Sequence, residues 1–297
     1  MTDEARRQDA LTAFEPQRRR LFGIAYRMLG SVSEAEDVVQ DAWLRWQGAD
    51  RASVREPAAF LATTVTRLCL NALSSARARR ELYVGPWLPE PVSTTDDPTL
   101  GAERAEALSL AVLLLMERLT PAERAAYVLR EAFVYSHRDI AAVLETTETN
   151  ARQLVSRARA HVTAERAAPV EPGARDRLLG AFLTAAQAGD LVGLEAVLSG
   201  DVLALADGGG RVTAARKSVR GRVRTAGYLL GVLAKFGRGV EAVPIEVNDE
   251  QAVLGARDGS PVGIWSVEIA PDGVRRVLIV LNPDKLERFA AAALSRS

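Results

Sequence analysis

Asn150, Arg152, Gln153, Arg157 and Arg159 fall on one side of the stretch from Tyr135 to Ala160, and their chemistry suits nucleic-acid recognition. Arg matches the paired acceptors of a guanine edge, Asn or Gln matches the acceptor and donor of adenine, and later basic residues hold phosphates. Asn150, Arg152 and Gln153 are thus base-reading candidates, and Arg157 and Arg159 phosphate candidates. Thr149 opens the same face and joins the DNA-contacting set. The elements that must position them are short. Ser136 is placed to cap a first helix, with Asp139 three residues on, and Ile140, Ala141, Val143 and Leu144 form its buried side. A turn is expected at Glu145 to Thr147, and Ala151, Leu154, Val155 and Ala158 line the inner side of a second helix. Many helix-turn-helix turns place Gly where this chain has Glu145, so a left-handed backbone there would be strained. The competing reading is a helical hairpin with an ordinary solvated face.

The chain has 297 residues, enough for two or three domains with cores of their own. Its 38 basic and 38 acidic residues cancel, so the molecule as a whole has no affinity for polyanions and any nucleic-acid binding must be local. The single Cys69 excludes an intramolecular disulfide framework and fits a reducing cytosol. Between Leu68 and Leu70 it reads as a buried packing thiol. The N-terminus lacks an apolar leader-like run, and no apolar stretch reaches membrane-spanning length, which points to a cytoplasmic protein without a membrane partner.

Four blocks follow one another. Residues 8–81 read as helices: Phe14 to Leu29, a second opened by Ser33 with Glu36 in the reciprocal position, and a third beginning near Pro57 and ending in Arg77, Arg79 and Arg80. Acids Glu34, Glu36, Asp37 and Asp41 crowd the early turns of the second, where the helix dipole favours them. Residues 82–100 hold four of the 13 prolines and several acids, as an extended linker does. Residues 101–167 are helical again, with Thr120-Pro121-Ala122-Glu123 a capping box that launches the helix before the one at Ser136. Residues 174–297 change character. Two helices, a strand ending in a glycine-rich turn and a basic helical segment from about Ala215 to Phe236 precede a meander of antiparallel strands with turns at Asn248-Asp249, Asp258-Gly259 and Asp272-Gly273. Helices followed by such a meander indicate an α+β domain.

Two segments in order, FEPQRRRLFGIAYRMLGSVSEAEDVVQDAWLRW and LTPAERAAYVLREAFVYSHRDIAAVLETTETNARQLVSRARA, resemble regions 2 and 4 of a bacterial extracytoplasmic-function sigma factor. The last block resembles a SnoaL-type domain of the NTF2-like class. A sigma-factor subgroup with this appendage carries three signatures matched here by Trp87-Leu88-Pro89-Glu90-Pro91, Asp207-Gly208-Gly209-Gly210-Arg211 and Asn282-Pro283-Asp284-Lys285-Leu286. The fold so implied is multidomain: two all-α sigma domains and a C-terminal α+β NTF2-like cone.

The resemblance implies a task for each piece. Glu34, Asp37, Gln40, Asp41, Trp43 and Trp46 would meet the β′ clamp of core RNA polymerase, charge and apolar area acting together. Arg67, Asn71, Arg77, Arg79 and Arg80 lie where the family engages the −10 element, and Thr149 to Arg159 where it engages −35. Melting needs an unpaired base held in a pocket and cations for displaced phosphates. The acidic linker would lie within the polymerase, while Trp87 and Leu88, costly to leave in water, would dock on a domain. The three subgroup signatures would serve interdomain regulation, the fused domain taking the place of a separate anti-sigma factor.

Both histidines, His137 and His161, precede the last block, so proton transfer there would fall to Asp207 or Tyr228. The glycine triplet lacks the following Lys-Ser/Thr of a nucleotide loop, and no metal-ligand set or cofactor site is recognisable. Two rival functions are a ligand-sensing helix-turn-helix regulator acting without sigma activity, with the cone pocket holding a small molecule, and a cyclase-like or isomerase-like enzyme. A monomer suffices for covalent self-regulation.

Overall fold

A computed structural model describes residues 3–94, 108–168 and 170–294. Two compact units separate, one from residues 3–81, 108 and 115–164, the other from 82–94, 109–114, 165–168 and 170–294.

The first unit is helical. Helix α1 spans Asp3–Phe14, α2 Arg18–Leu29, α3 Val32–Gly48 and α4 Pro57–Glu81. The single helix expected from Phe14 to Leu29 is interrupted by a 3-10 turn at Glu15–Gln17, because Pro16 cannot donate to the preceding turn. Gly30 ends α2 in the left-handed conformation (φ 68°), and Ser31 rather than Ser33 caps α3, its Oγ accepting from Glu34 N. Leu21, Ile24 and Met28 of α2, Val38, Ala42 and Trp46 of α3, and Leu61, Val65 and Cys69 of α4 are buried. Helix α5, Leu110–Met116, is followed by α6, Pro121–Glu131, α7, His137–Val143, and α8, Glu148–Glu165. Both expected capping boxes are closed, Thr120 with Glu123 at the start of α6 and Ser136 with Asp139 at the start of α7.

Buried charges join these helices. Arg124 on α6, 2% exposed, donates twice to the Arg27 carbonyl at 3.2 Å and pairs with Glu117. Arg20 and Arg27 lie over the Phe133 ring at 5.7 and 5.3 Å, and Arg20 also over Tyr135 at 5.4 Å.

The second unit is α+β, as the SnoaL-like resemblance implies. After α9 (Pro172–Ala188) and α10 (Leu191–Val197) come β1 (Leu198–Asp207), β2 (Val219–Arg220), α11 (Arg222–Phe236), β3 (Glu241–Val247), β4 (Glu250–Arg257), β5 (Ser260–Ala270), β6 (Gly273–Val280) and α12 (Pro283–Leu294). The sheet order is β2-β1-β6-β5-β4-β3. The meander β3 to β6 is antiparallel as expected, but β1 joins it in parallel beside β6, and β2 pairs on its outer edge. Asn248-Asp249 (φ 54° and 63°) and Asp258-Gly259 (51° and 76°) turn the hairpins with positive φ at both central residues, which suits the strands' right-handed twist.

Alternation along β6 shows that both faces of the sheet are covered. Val277 and Ile279 pack with Phe182, Leu194, Ala226 and Leu229 from α9 to α11, while Leu278 and Val280 pack with Leu88, Leu110, Leu286 and Phe289. Residues 88 and 110–111 are therefore part of the core of this α+β unit.

Candidate nucleic-acid interface and linker clasp

The outer face of α8 is set by the turn between α7 and α8. Glu145 adopts φ 51°, the left-handed conformation suspected from the lack of Gly, and Thr146 N closes the turn on the Ala141 carbonyl at 2.9 Å. Ala151, Leu154, Val155, Ala158 and Val162 are buried along α8. Thr149, Arg152, Gln153, Arg157 and Arg159 are exposed on its outer side. Asn150 is half-buried, and its Nδ2 donates to Thr146 Oγ1 at 2.8 Å, so this side chain also fastens the turn.

The arginines have surface partners. Arg152 pairs with Glu148 at 3.1 Å, Arg157 with Glu123 at 2.8 Å and Arg159 with Glu131 at 2.6 Å. The hydrogen bond from Arg157 holds the Glu123 carboxyl below its ordinary range, and the bond that Arg159 donates to Glu131 raises Arg159. Exposed pairs of this kind contribute about 0–1 kcal/mol.

The −10 candidates on α4 are treated unequally. Arg67 donates from Nε to the Val143 carbonyl at 3.2 Å and pairs through Nη2 with Glu145 at 2.9 Å. Asn71 is exposed. Arg79 pairs with Glu34. Arg80 pairs with Glu117 and donates to the Leu29 carbonyl, and burial lowers its pKa. It is thus built into the helical packing. The Arg77 side chain lies outside the described residues.

On α3, Asp37, Gln40 and Asp41 are exposed, and so is Leu44, at 56%. Spaced at i, i+3, i+4 and i+7, these four make one outward stripe. Leu44 was not singled out from sequence because one apolar residue among charges gives no periodic signal. Trp43 rests on Phe14 with ring centres 5.0 Å apart. Trp46 belongs to the core instead of the surface: it is 1% exposed and donates from Nε1 to the Ala10 carbonyl at 3.0 Å.

In the second unit the three signature segments meet. Asp207, at the end of β1, is fully buried. Its Oδ1 accepts from Tyr83 Oη at 2.7 Å and Gly209 N at 3.0 Å, and its Oδ2 from Leu88 N at 2.9 Å and Lys285 Nζ at 2.8 Å. Four donors fill the lone-pair sites of one carboxylate, leaving no acceptor for a substrate proton. Lys285 Nζ also donates to the Leu88 carbonyl and lies 4.6 Å from the Trp87 ring centre. Asn282 Nδ2 donates to Tyr83 Oη at 2.8 Å, and its Oδ1 accepts from Asp284 N, capping α12. Burial and the adjoining Asp207 hold the Tyr83 hydroxyl above its ordinary range. Tyr228, the other proton-transfer candidate, is half-buried and likewise raised by burial.

Glycine has a specific task here. Gly209 has φ 59°, and a Cβ there would stand 2.5 Å from Asn282 Nδ2. Farther along the linker, Arg288 pairs with Glu90, and Val92 and Asn248 exchange hydrogen bonds of 3.0 and 3.1 Å. Residues 82–94 are accordingly a strap bound to the α+β unit. Sequence reasoning found the three segments but not Tyr83, whose position beside the first signature carried no distinguishing pattern.

Comparison with known proteins agrees with this architecture. Residues 13–79 match Sigma-70 region 2, and residues 109–162 match Sigma-70, region 4. The chain belongs to the ECF RNA polymerase sigma factors. It is 40% identical over 236 residues to the ECF RNA polymerase sigma factor SigJ of Mycobacterium tuberculosis, a match covering 77% of this chain and 75% of that protein. It is 30% identical to the probable ECF RNA polymerase sigma factor SigI of the same species, over 94% of this chain and 95% of the relative. The crystal structure of M. tuberculosis SigJ superposes with TM-score 0.75 at 34% identity, covering 93% of this chain and 98% of the other. The rival readings, an operator-binding regulator without sigma activity and a cyclase-like enzyme, are not favoured by these matches. No helix among the described residues is long and apolar enough to cross a membrane.

Proposed function

We propose that this sigma factor docks on the core polymerase clamp through the α3 stripe of Asp37, Gln40, Asp41 and Leu44, reads −35 DNA with α8 and engages −10 DNA with α4. The capped turn that presents Arg152, Gln153 and Arg157 on a single solvent-facing side of α8 carries the reading. Asn71 and Arg79 are the α4 groups best placed for melted DNA, since Arg80 is committed to Glu117. The chain supplies no catalytic chemistry. The four donors on Asp207 support a structural role for the one carboxylate at the glycine turn.

The C-terminal domain regulates initiation by holding the linker strap, and it replaces a separate anti-sigma factor. A regulator of this kind acts by contacting two states of the sigma domains unequally. Deleting the chain after Ala168 tests it: core polymerase capture persists while promoter output changes. An unchanged transcription profile, or recovery of a tight stoichiometric anti-sigma protein with the full chain, contradicts this regulatory role.

A further inference from the structure

The 30 residues from Arg211 to Val240 contain eight Lys or Arg and no Asp or Glu, leaving 30 cations against 38 acids in the rest of the chain. Three of the eight are engaged: Arg222 Nε donates to the Leu198 carbonyl at 2.9 Å, Arg211 reaches Asp284 at 3.5 Å, and Lys235 lies 5.2 Å from the Phe236 ring centre. Arg216, Lys217, Arg220, Arg224 and Arg238 are exposed and make no ion pair among the described residues. A solvated surface kept for solubility mixes signs, whereas a run of one sign repels itself and awaits a counter-charge.

Their placement makes one surface. Arg216 lines a cleft of about 310 Å³ with Arg211, Gly208 and Gly210. Arg220 lies on the edge strand β2, and Arg224 in the first turn of α11, where the helix dipole disfavours a cation. From Arg224 the exposed side of α11 continues through Gly227, Gly231 and Ala234 to Arg238 just beyond the helix. A Cβ at Gly227 or Gly231 would meet nothing within 4 Å, so packing does not explain these glycines, which weaken a helix interior. The result is a low face about 22 Å long, from the rise of 15 helical residues, with cations at both ends.

We propose that this face of the C-terminal domain binds the phosphate backbone of duplex DNA without reading sequence. The choice of DNA rests on the reading of the chain as a promoter-binding sigma factor, which brings a uniform polyanion to it. Six of the eight cations are Arg, whose planar fork matches phosphate oxygens. A helix face of small residues lets the duplex approach until both charged ends engage.

The test uses the full chain without polymerase and a labelled random-sequence duplex of about 30 base pairs, titrated between about 50 and 200 mM salt. The variant carrying Arg216→Gln, Lys217→Gln, Arg220→Gln and Arg224→Gln should lower the magnitude of the log K against log salt slope by about three to four, and bind about tenfold or more weakly at the lowest salt. Replacing the three arginines by Lys should keep the slope, which separates lost charge from lost structure. A variant with Arg152→Ala and Arg157→Ala should retain the dependence on the basic face. An equal slope in wild type and Gln variant, or no binding by wild type at the lowest salt, overturns the proposal. So does an intact DNA slope with lost capture of core polymerase, which would assign the face to an acidic protein surface. Absence of promoter-specific transcripts beside an intact slope difference would instead fault the promoter reading and leave this surface standing.

Discussion

The Lys285 ammonium lies 2.8 Å from Asp207 Oδ2, with the two side chains only 4% and 0% exposed, and together they grip Leu88 of the linker through its carbonyl and its N–H. One buried pair thus fastens three separated segments. Burial of Leu88 adds about 1.5–3 kcal/mol of hydrophobic stabilisation to the same attachment.

Lys285→Met should destabilise the second unit by about 3–5 kcal/mol, because it leaves the Asp207 carboxylate buried without its cation. Urea denaturation reads the loss, and limited proteolysis should show cleavage within residues 82–94. The double variant with Asp207→Leu should recover part of the stability, since no charge then remains in the site. A single variant within about 0.5 kcal/mol of wild type would show that the pair does not hold the strap.

Gly209→Ala attacks the same clasp through the backbone. The left-handed φ costs about 1–2 kcal/mol for a residue with a Cβ, and that Cβ also displaces Asn282 from the Tyr83 hydroxyl. Thermal unfolding should fall accordingly. Gly239→Ala is the matched control: it shares the positive φ of 69°, but nothing stands near the added carbon, so its loss should be smaller.

In the first unit, Glu117 neutralises both Arg124 and Arg80. Glu117→Gln should cost about 3–5 kcal/mol by stranding the Arg124 guanidinium, which is 2% exposed. Arg157→Gln, at an exposed pair with Glu123, should change stability by no more than about 1 kcal/mol. Equal losses in the two variants would refute the distinction between buried and surface pairs.

Burial pushes the Cys69 thiol above its ordinary value. The unfolded chain ionises this thiol near pH 8.5 while the folded chain keeps its proton, so stability is present below that pH and declines above it, by at most about 1.4 kcal/mol per unit. Denaturation between about pH 8 and 9.5 should show the decline, and Cys69→Ala should remove its contribution. A thiol reagent should react with Cys69 only after unfolding. Rapid modification of the native protein would contradict the burial.

What the sequence revealed depended on how local the determinant is. The boxes Ser136-Asp139 and Thr120-Glu123 close within one helical turn, and Asp258-Gly259 turns its own hairpin, so each was readable from neighbouring residues. Ser33 was the expected cap of α3, but Ser31 caps it two residues earlier, so the helix begins before the expected residue. Non-local choices were hidden. Nothing near β1 reveals its parallel pairing with β6 some 70 residues later, with Leu203 opposite Arg276 and Asp207 opposite Val280. No residue near Arg124, Arg80 or Lys285 in the chain reveals the partners that bury them. The resemblance gave Trp46 a docking role, but its burial against Ala10, 36 residues away in the chain, is a contact that spacing along α3 does not reveal. For the exposed side of α8 the inner apolar residues defined the outer ones, but the fastening of Asn150 to Thr146 required the folded turn.

Run-off transcription with purified core RNA polymerase and a library of genomic promoter fragments is the direct test of the central claim. The full chain should yield discrete promoter-specific transcripts that disappear with Arg152→Ala and Gln153→Ala, both on the exposed side of α8. Transcripts that do not depend on the added chain, or none across the library despite a folded protein, would contradict it.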